Sequence, residues 1–142
     1  SVGELLAAEL KSGYDKFETY VKMGVSVAKL KTNLLELLAT LKKQDKRIAA
    51  YGAPAKGNVL LNYLGIGNKY LDFIVDKAPA KQGIYTPGMQ MKVLHPRVIA
   101  DRKPDYLLVL CWNIADEVVE QLRDYKKAGG KFIIPVPEIK II

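Results

Sequence analysis

The apolar run Arg47-Ile48-Ala49-Ala50-Tyr51 passes directly into Gly52-Ala53-Pro54-Ala55-Lys56-Gly57-Asn58, and Val59-Leu60-Leu61 resumes an apolar pattern at once. A strand that stops at a glycine loop and turns into a helix is the opening of an α/β unit, which restricts the folds available to the chain. Gly52 can take a positive φ or admit a ligand close to the backbone. Pro54 and Gly57 stop the strand, and Asn58 is a good N-cap for a helix over 59–64. The free N–H groups of such a helix start form an anion site. Gly52-x-x-x-x-Gly57 is neither the G-x-G-x-x-G of dinucleotide folds nor a Walker A, whose lysine follows the last glycine. The next run, Leu71-Asp72-Phe73-Ile74-Val75-Asp76, ends on an acid at about the 20-residue distance where a Rossmann-like unit places its ribose-binding carboxylate. The plain alternative is a tight strand-to-helix turn followed by a surface aspartate.

The rest of the chain extends the pattern. Leu6, Leu10, Tyr14, Phe17 and Val21 recur at helical spacing over residues 2–23, Gly24 is expected to break or kink the helix, and Val27, Leu30, Leu34, Leu38 and Leu41 repeat the spacing as far as a basic cluster. From about Asp45 the pattern becomes short apolar runs separated by turns. Tyr106-Leu107-Leu108-Val109-Leu110-Cys111 is continuous in apolar residues, as a strand buried on both faces should be. Asn113 is expected to cap a helix carrying Ile114, Val118, Leu122 and Tyr125 on one face, with Gly129-Gly130 as its stop. Met91-Lys92-Val93-Leu94 and Lys131-Phe132-Ile133-Ile134-Pro135-Val136 read as further strands, and the tail 139–142 as an edge partner. The expected fold is therefore α/β: a Rossmann-like, doubly wound, mostly parallel sheet over 45–142 with an N-terminal helical pair over 1–44, forming a single domain.

Charge and composition narrow the function. With 22 basic against 15 acidic residues the chain carries a net charge of +7, which favours polyanionic partners. Nucleic acid is not expected, because the lysines lack the interleaved aromatics that stack bases. The densest basic cluster, Lys42, Lys43, Lys46 and Arg47, closes a helix, where cations complement the dipole. The lone Cys111 and lone His95 supply no metal cluster, and neither a metal site nor a catalytic thiol is expected. No apolar run reaches the roughly 18 residues of a membrane span and no signal pattern opens the chain, so a cytoplasmic protein with no membrane partner is expected. Ser1 is not an initiating methionine, and the chain is expected to be a processed product or a piece of a longer protein.

Tyr51-Gly52-Ala53-Pro54-Ala55-Lys56-Gly57-Asn58, Val75-Asp76-Lys77, Lys81-Gln82-Gly83, Tyr85-Thr86-Pro87-Gly88, Pro104-Asp105-Tyr106, Trp112-Asn113 and Gly129-Gly130-Lys131-Phe132-Ile133 together resemble the C-terminal domain of S-adenosylmethionine-dependent C-methyltransferases that act on nucleotide-linked deoxysugars. The resemblance covers nearly the whole chain in order. It implies a lobe that helps to hold a nucleotide-diphosphate sugar, with S-adenosylmethionine bound in a separate N-terminal methyltransferase domain of the same chain. The catalytic base would lie in that upstream part, with none among residues 1–142, and the isolated lobe would be inactive. A dinucleotide- or coenzyme A-binding module and a non-enzymatic basic interaction domain are the alternatives. Since ligands of open α/β sheets lie at the carboxyl ends of the strands, the expected contacts are Gly52, backbone N–H groups from Ala55 to Asn58 with Gly57 among them, and the charge of Lys56. Asp76 is expected to accept from a hydroxyl, Lys81 and Tyr85 to cover the site, and Trp112 and Asn113 to form its far wall.

Overall fold

The computed structural model describes all 142 residues, which divide into two compact units, Ser1–Thr32 and Asn33–Ile142. In the first, helix α1 (Val2–Lys11) opens with a capping box. The Ser1 side chain accepts from the Glu4 N–H, and the Glu4 carboxylate takes the Ser1 amine. The chain reverses at Gly13, whose φ of +75° is the left-handed conformation that glycine adopts without strain. Thr19 and Tyr20 donate their hydroxyls to the carbonyls of Gly13 and Tyr14, both at 2.6 Å, and fix the turn. Helix α2 (Phe17–Lys43) then runs through Gly24 without interruption. The helical pair is present, but its break lies at Gly13 and not at Gly24. A lone glycine inside a helix costs only about 1 kcal/mol relative to alanine, and a reversal needs a positive φ that Gly24 does not adopt. Within this unit the stripe of Leu6, Leu10, Tyr14, Phe17 and Val21 is exposed.

The second unit is built on strands β1 (Ile48–Tyr51), β2 (Phe73–Val75), β3 (Val93–Leu94), β4 (Tyr106–Val109), β5 (Lys131–Ile134) and β6 (Lys140–Ile141). They pair in the order β3-β2-β1-β4-β5-β6, parallel throughout except for the antiparallel edge pair β5–β6. This is the doubly wound order with its switch point between β1 and β4. The side chains alternate between two cores. Ile48, Ala50, Ile74, Leu108 and Ile133 pack with Leu34, Leu38 and Leu41 of α2 and with Leu61 and Leu64 of helix α3 (Ala55–Leu64). Ala49, Tyr51, Val75, Leu107, Val109 and Phe132 face the other way, onto Ile99 of α4 (Val98–Arg102), Val118 of α5 (Ala115–Gln121) and Tyr125 of α6 (Arg123–Lys127). Helices on both faces explain why the central strands read as unbroken apolar runs.

Two expected caps are corrected. Helix α3 starts at Ala55, with the extended Pro54 at its N-cap, so Asn58 lies inside the helix and its N–H bonds to the Pro54 carbonyl at 3.0 Å. Proline's fixed φ suits the entry to a helix, and the chain uses it four residues before the expected cap. Asn113 belongs to a 3₁₀ turn, Trp112–Ile114, ahead of α5, whose N-cap position is Ile114. The helix expected to run to Gly129 is divided at Leu122, where φ −106° and ψ 27° depart from helical values.

Candidate functional site

At the carboxyl end of β1 the chain turns at Gly52, with φ +88°, and a β-carbon built there would stand 3.0 Å from the Cys111 Sγ that follows β4. Gly57 meets a harder limit, because its β-carbon would lie 2.7 Å from the Leu110 Cβ and 3.2 Å from the Pro54 ring. One glycine makes the turn and the other lets α3 lie against the sheet. These are the roles of the first and third glycines of a G-x-G-x-x-G loop, whose middle glycine is replaced here by Pro54. The middle position is where a dinucleotide's pyrophosphate approaches the backbone, and the pyrrolidine ring occupies it. The Leu110 Cβ is fixed to the chain at the end of β4 and cannot swing away, so Gly57→Ala should destabilise the fold by about 1–3 kcal/mol. Urea denaturation checks this, and an unchanged midpoint would contradict the packing described here.

The orphan N–H groups of Ala55, Lys56 and Gly57 point out of the first turn of α3. Two lysines, one on α3 itself and one from the loop after β2, stand at this end of the sheet. The Lys56 ammonium donates to Asn113 Oδ1 and lies 4.9 Å from the centre of the Trp112 ring, which holds it at the β4 rim. On the β2 side, Lys81 closes a 3₁₀ turn, Pro79–Lys81, and its ammonium reaches Asp76 Oδ2 at 3.3 Å. Asp76, 9% exposed, also accepts from the N–H groups of Ala53 at 2.7 Å and Ala78 at 2.8 Å. Burial works against its charged form, but the N–H bonds from Ala53 and Ala78 and the Lys81 ammonium outweigh burial and hold the carboxyl below the ordinary carboxylate range. A lowered folded-state pKa contributes stability above the unfolded value of about 3.9, and that contribution is lost as pH falls through the folded value. Asp76→Asn should therefore flatten the acid limb of a stability-against-pH curve.

A cleft of about 200 Å³ opens between these loops, lined by Tyr51, Gly52, Pro54, Asp76, Lys81 and Cys111 among others. Burial pushes the Cys111 thiol up, and Asp76 adds to this against the opposing pull of Lys56 and Lys81. A larger cleft, about 610 Å³, lies at the opposite ends of the strands, around Pro104-Asp105, Tyr125 and Gly129-Gly130. We take the smaller as the candidate site, because the carboxyl ends carry the switch point, the helix N-terminus and both lysines, whereas the larger mixes Arg97 and Lys103 with Asp105 and Asp124.

Of the residues expected from sequence, Gly52, Asp76 and Lys81 line this cleft. Lys56, Trp112 and Asn113 form one contact cluster, and Ala55, Gly57 and Asn58 occupy the first turns of α3. Asn58 Oδ1 is buried without a partner. Asp76 was expected to accept from a hydroxyl, and in the structure it is engaged by three donors of the protein itself. Tyr85 stands apart, exposed on an arm where it bridges to Lys92. That arm is pinned to α3 by the Asn62 amide, which donates to the Pro87 carbonyl at 3.0 Å, and a β-carbon on Gly88 would run into that amide. Sequence reasoning missed Pro54, whose signal was its place midway between the two glycines, and Ile114, Val118 and Gln121, which line the cleft from α5 and the turn before it.

No helix is long and apolar enough to cross a membrane. The family model described as the C-methyltransferase C-terminal domain matches residues 1–137. Over all 142 residues the chain is 34% identical to the C-methyltransferase NovU of Streptomyces niveus and covers 34% of that protein, so it spans about a third of the length of this curated relative.

Proposed function

The chain belongs to the C-methyltransferase C-terminal domain family, and from that premise we propose that it is the lobe of a larger enzyme that holds a nucleotide-diphosphate sugar. The observation that carries the reading is that the N-terminus of α3 after β1, Lys56 on the β4 side and Lys81 on the β2 side all lie at the carboxyl ends of the strands. Phosphate oxygens would accept the N–H groups of Ala55, Lys56 and Gly57, with the two ammonium groups adding charge on either side. Trp112 and Asn113 would wall the β4 side, and Tyr85 would approach from its arm.

The methyl donor belongs elsewhere in this reading. A Rossmann-like site for S-adenosylmethionine would use the acid at the end of β2 to accept ribose hydroxyls, and Asp76, 9% exposed, is already committed to Ala53, Ala78 and Lys81. These residues do not fit the cofactor. It would bind in an N-terminal domain of the same polypeptide, together with the groups that deprotonate the sugar carbon and deliver the methyl group. The isolated chain should transfer no methyl group to any nucleotide-keto-sugar.

Calorimetry tests the reading. Thymidine or uridine diphosphate should bind the chain more tightly than NAD, NADP or coenzyme A. Tight binding of a dinucleotide or coenzyme A with none of either diphosphate would reverse the assignment.

A further inference from the structure

The Asp76 carboxylate sits where two loops meet. Oδ2 accepts the Ala53 N–H from the loop after β1, at 2.7 Å, and the Lys81 ammonium at 3.3 Å. Oδ1 accepts the Ala78 N–H from the loop after β2, at 2.8 Å. The Gln82 amide donates to the Asp76 carbonyl at 3.0 Å and closes the second loop back onto the same residue. The Asp76 side chain is 12% exposed, so its two N–H bonds form largely out of water, whereas the Lys81 side chain, 39% exposed, reaches it from the rim. Ala53 is the residue between the turn glycine and Pro54, and Lys81 lines the same cleft as that glycine and Pro54. A single carboxylate thus fixes both the path of the glycine loop and the place of a lysine that the chain would otherwise hold on a flexible stem.

We propose that Asp76 is a positioning residue for the bound anion: it ties the loop after β1 to the loop after β2 and sets Lys81 beside the helix N-terminus, without itself contacting the ligand. The inference rests on the nucleotide-sugar reading above. A preorganised cation loses less freedom on binding than a mobile one, so the contribution of Lys81 should depend on Asp76. Two side chains that act through one network couple, and their effects do not add.

Asp76→Asn keeps the side chain's size and leaves one oxygen where the carboxylate had two. At neutral pH, amide hydrogen exchange at Ala53 and Ala78 should quicken tenfold or more, while the β1 amides inside the sheet keep their protection. With thymidine diphosphate as the probe, Lys81→Ala should weaken binding severalfold in the otherwise unchanged chain and less than twofold in the Asp76→Asn background. Unchanged exchange at Ala53 and Ala78, or an equal effect of Lys81→Ala in both backgrounds, would overturn the proposal. Asp76→Glu keeps the charge and moves the oxygens by one methylene, so it decides the matter if Asp76→Asn does not fold. The same faster exchange and lost dependence on Lys81 are expected from it, and behaviour like the unchanged chain would overturn the proposal. If the unchanged chain binds no thymidine diphosphate, the functional reading fails, and the amide exchange alone then decides whether the tie between the loops exists.

Discussion

Phe132→Ala should lower the unfolding free energy by about 3–5 kcal/mol, a large share of the 5–15 kcal/mol typical of a domain. Phe132 is 0% exposed at the centre of β5, paired in register with Leu107 of β4. It stands edge-on to the Tyr125 ring, with centroids 5.4 Å apart and planes at 79°. The site around it cannot collapse to fill the gap. Tyr125 is anchored by its hydroxyl, which donates to the Lys131 carbonyl at 3.2 Å, and its ring lies so close to Gly130 that a β-carbon there would collide with it. Truncation would leave a cavity bounded by a fixed strand and a fixed ring. Urea denaturation followed by circular dichroism measures the loss, and a change below about 1 kcal/mol would mean that this core face relaxes around the missing ring.

Lys56→Ala should weaken binding of a nucleoside diphosphate by about ten- to hundredfold, the equivalent of the roughly 1.5–3 kcal/mol of a charge-assisted hydrogen bond. The ammonium is already held between Asn113 and the Trp112 ring, so binding would not have to order a free side chain first. Lys43→Ala supplies the control. Lys43 is the last residue of α2, five positions before β1 begins and therefore at the amino ends of the strands, and it carries the same formal charge. Calorimetry should find the control within twofold of the unchanged chain. Equal losses from the two substitutions would mean that overall positive charge, and not this site, attracts the ligand.

The sheet was legible because its strands are buried on both faces. Ile48-Ala49-Ala50-Tyr51 and Tyr106-Leu107-Leu108-Val109 must be apolar at every position, and no surface helix imitates that over so short a run. Helix starts were harder to read. Asn58 and Asn113 are both good N-caps in isolation, yet Pro54 begins α3 one turn earlier, and the Asn113 side chain is engaged by Lys56 from another element. The break expected at Gly24 lies at Gly13 because, of the two, only Gly13 takes a positive φ, which composition does not reveal. The site was legible as a set of loops but not as a network. The position of Asp76 followed from strand length, whereas its three donors come from Ala53, Ala78 and Lys81, and only the folded chain brings Ala53 to it across the β1–β2 pair.

The central claim is that a phosphate-bearing ligand sits on the N-terminus of α3 at the β1–β4 switch point. Titrating thymidine diphosphate into the 15N-labelled chain and following every backbone amide tests it most directly. The largest shifts should fall on Ala55, Lys56 and Gly57, with accompanying shifts at Lys81 and at the Trp112 indole N–H, and little movement at Tyr125 or Gly130. Shifts centred on the larger cleft around Tyr125 and Gly130, or spread over the lysines closing α2, would contradict it.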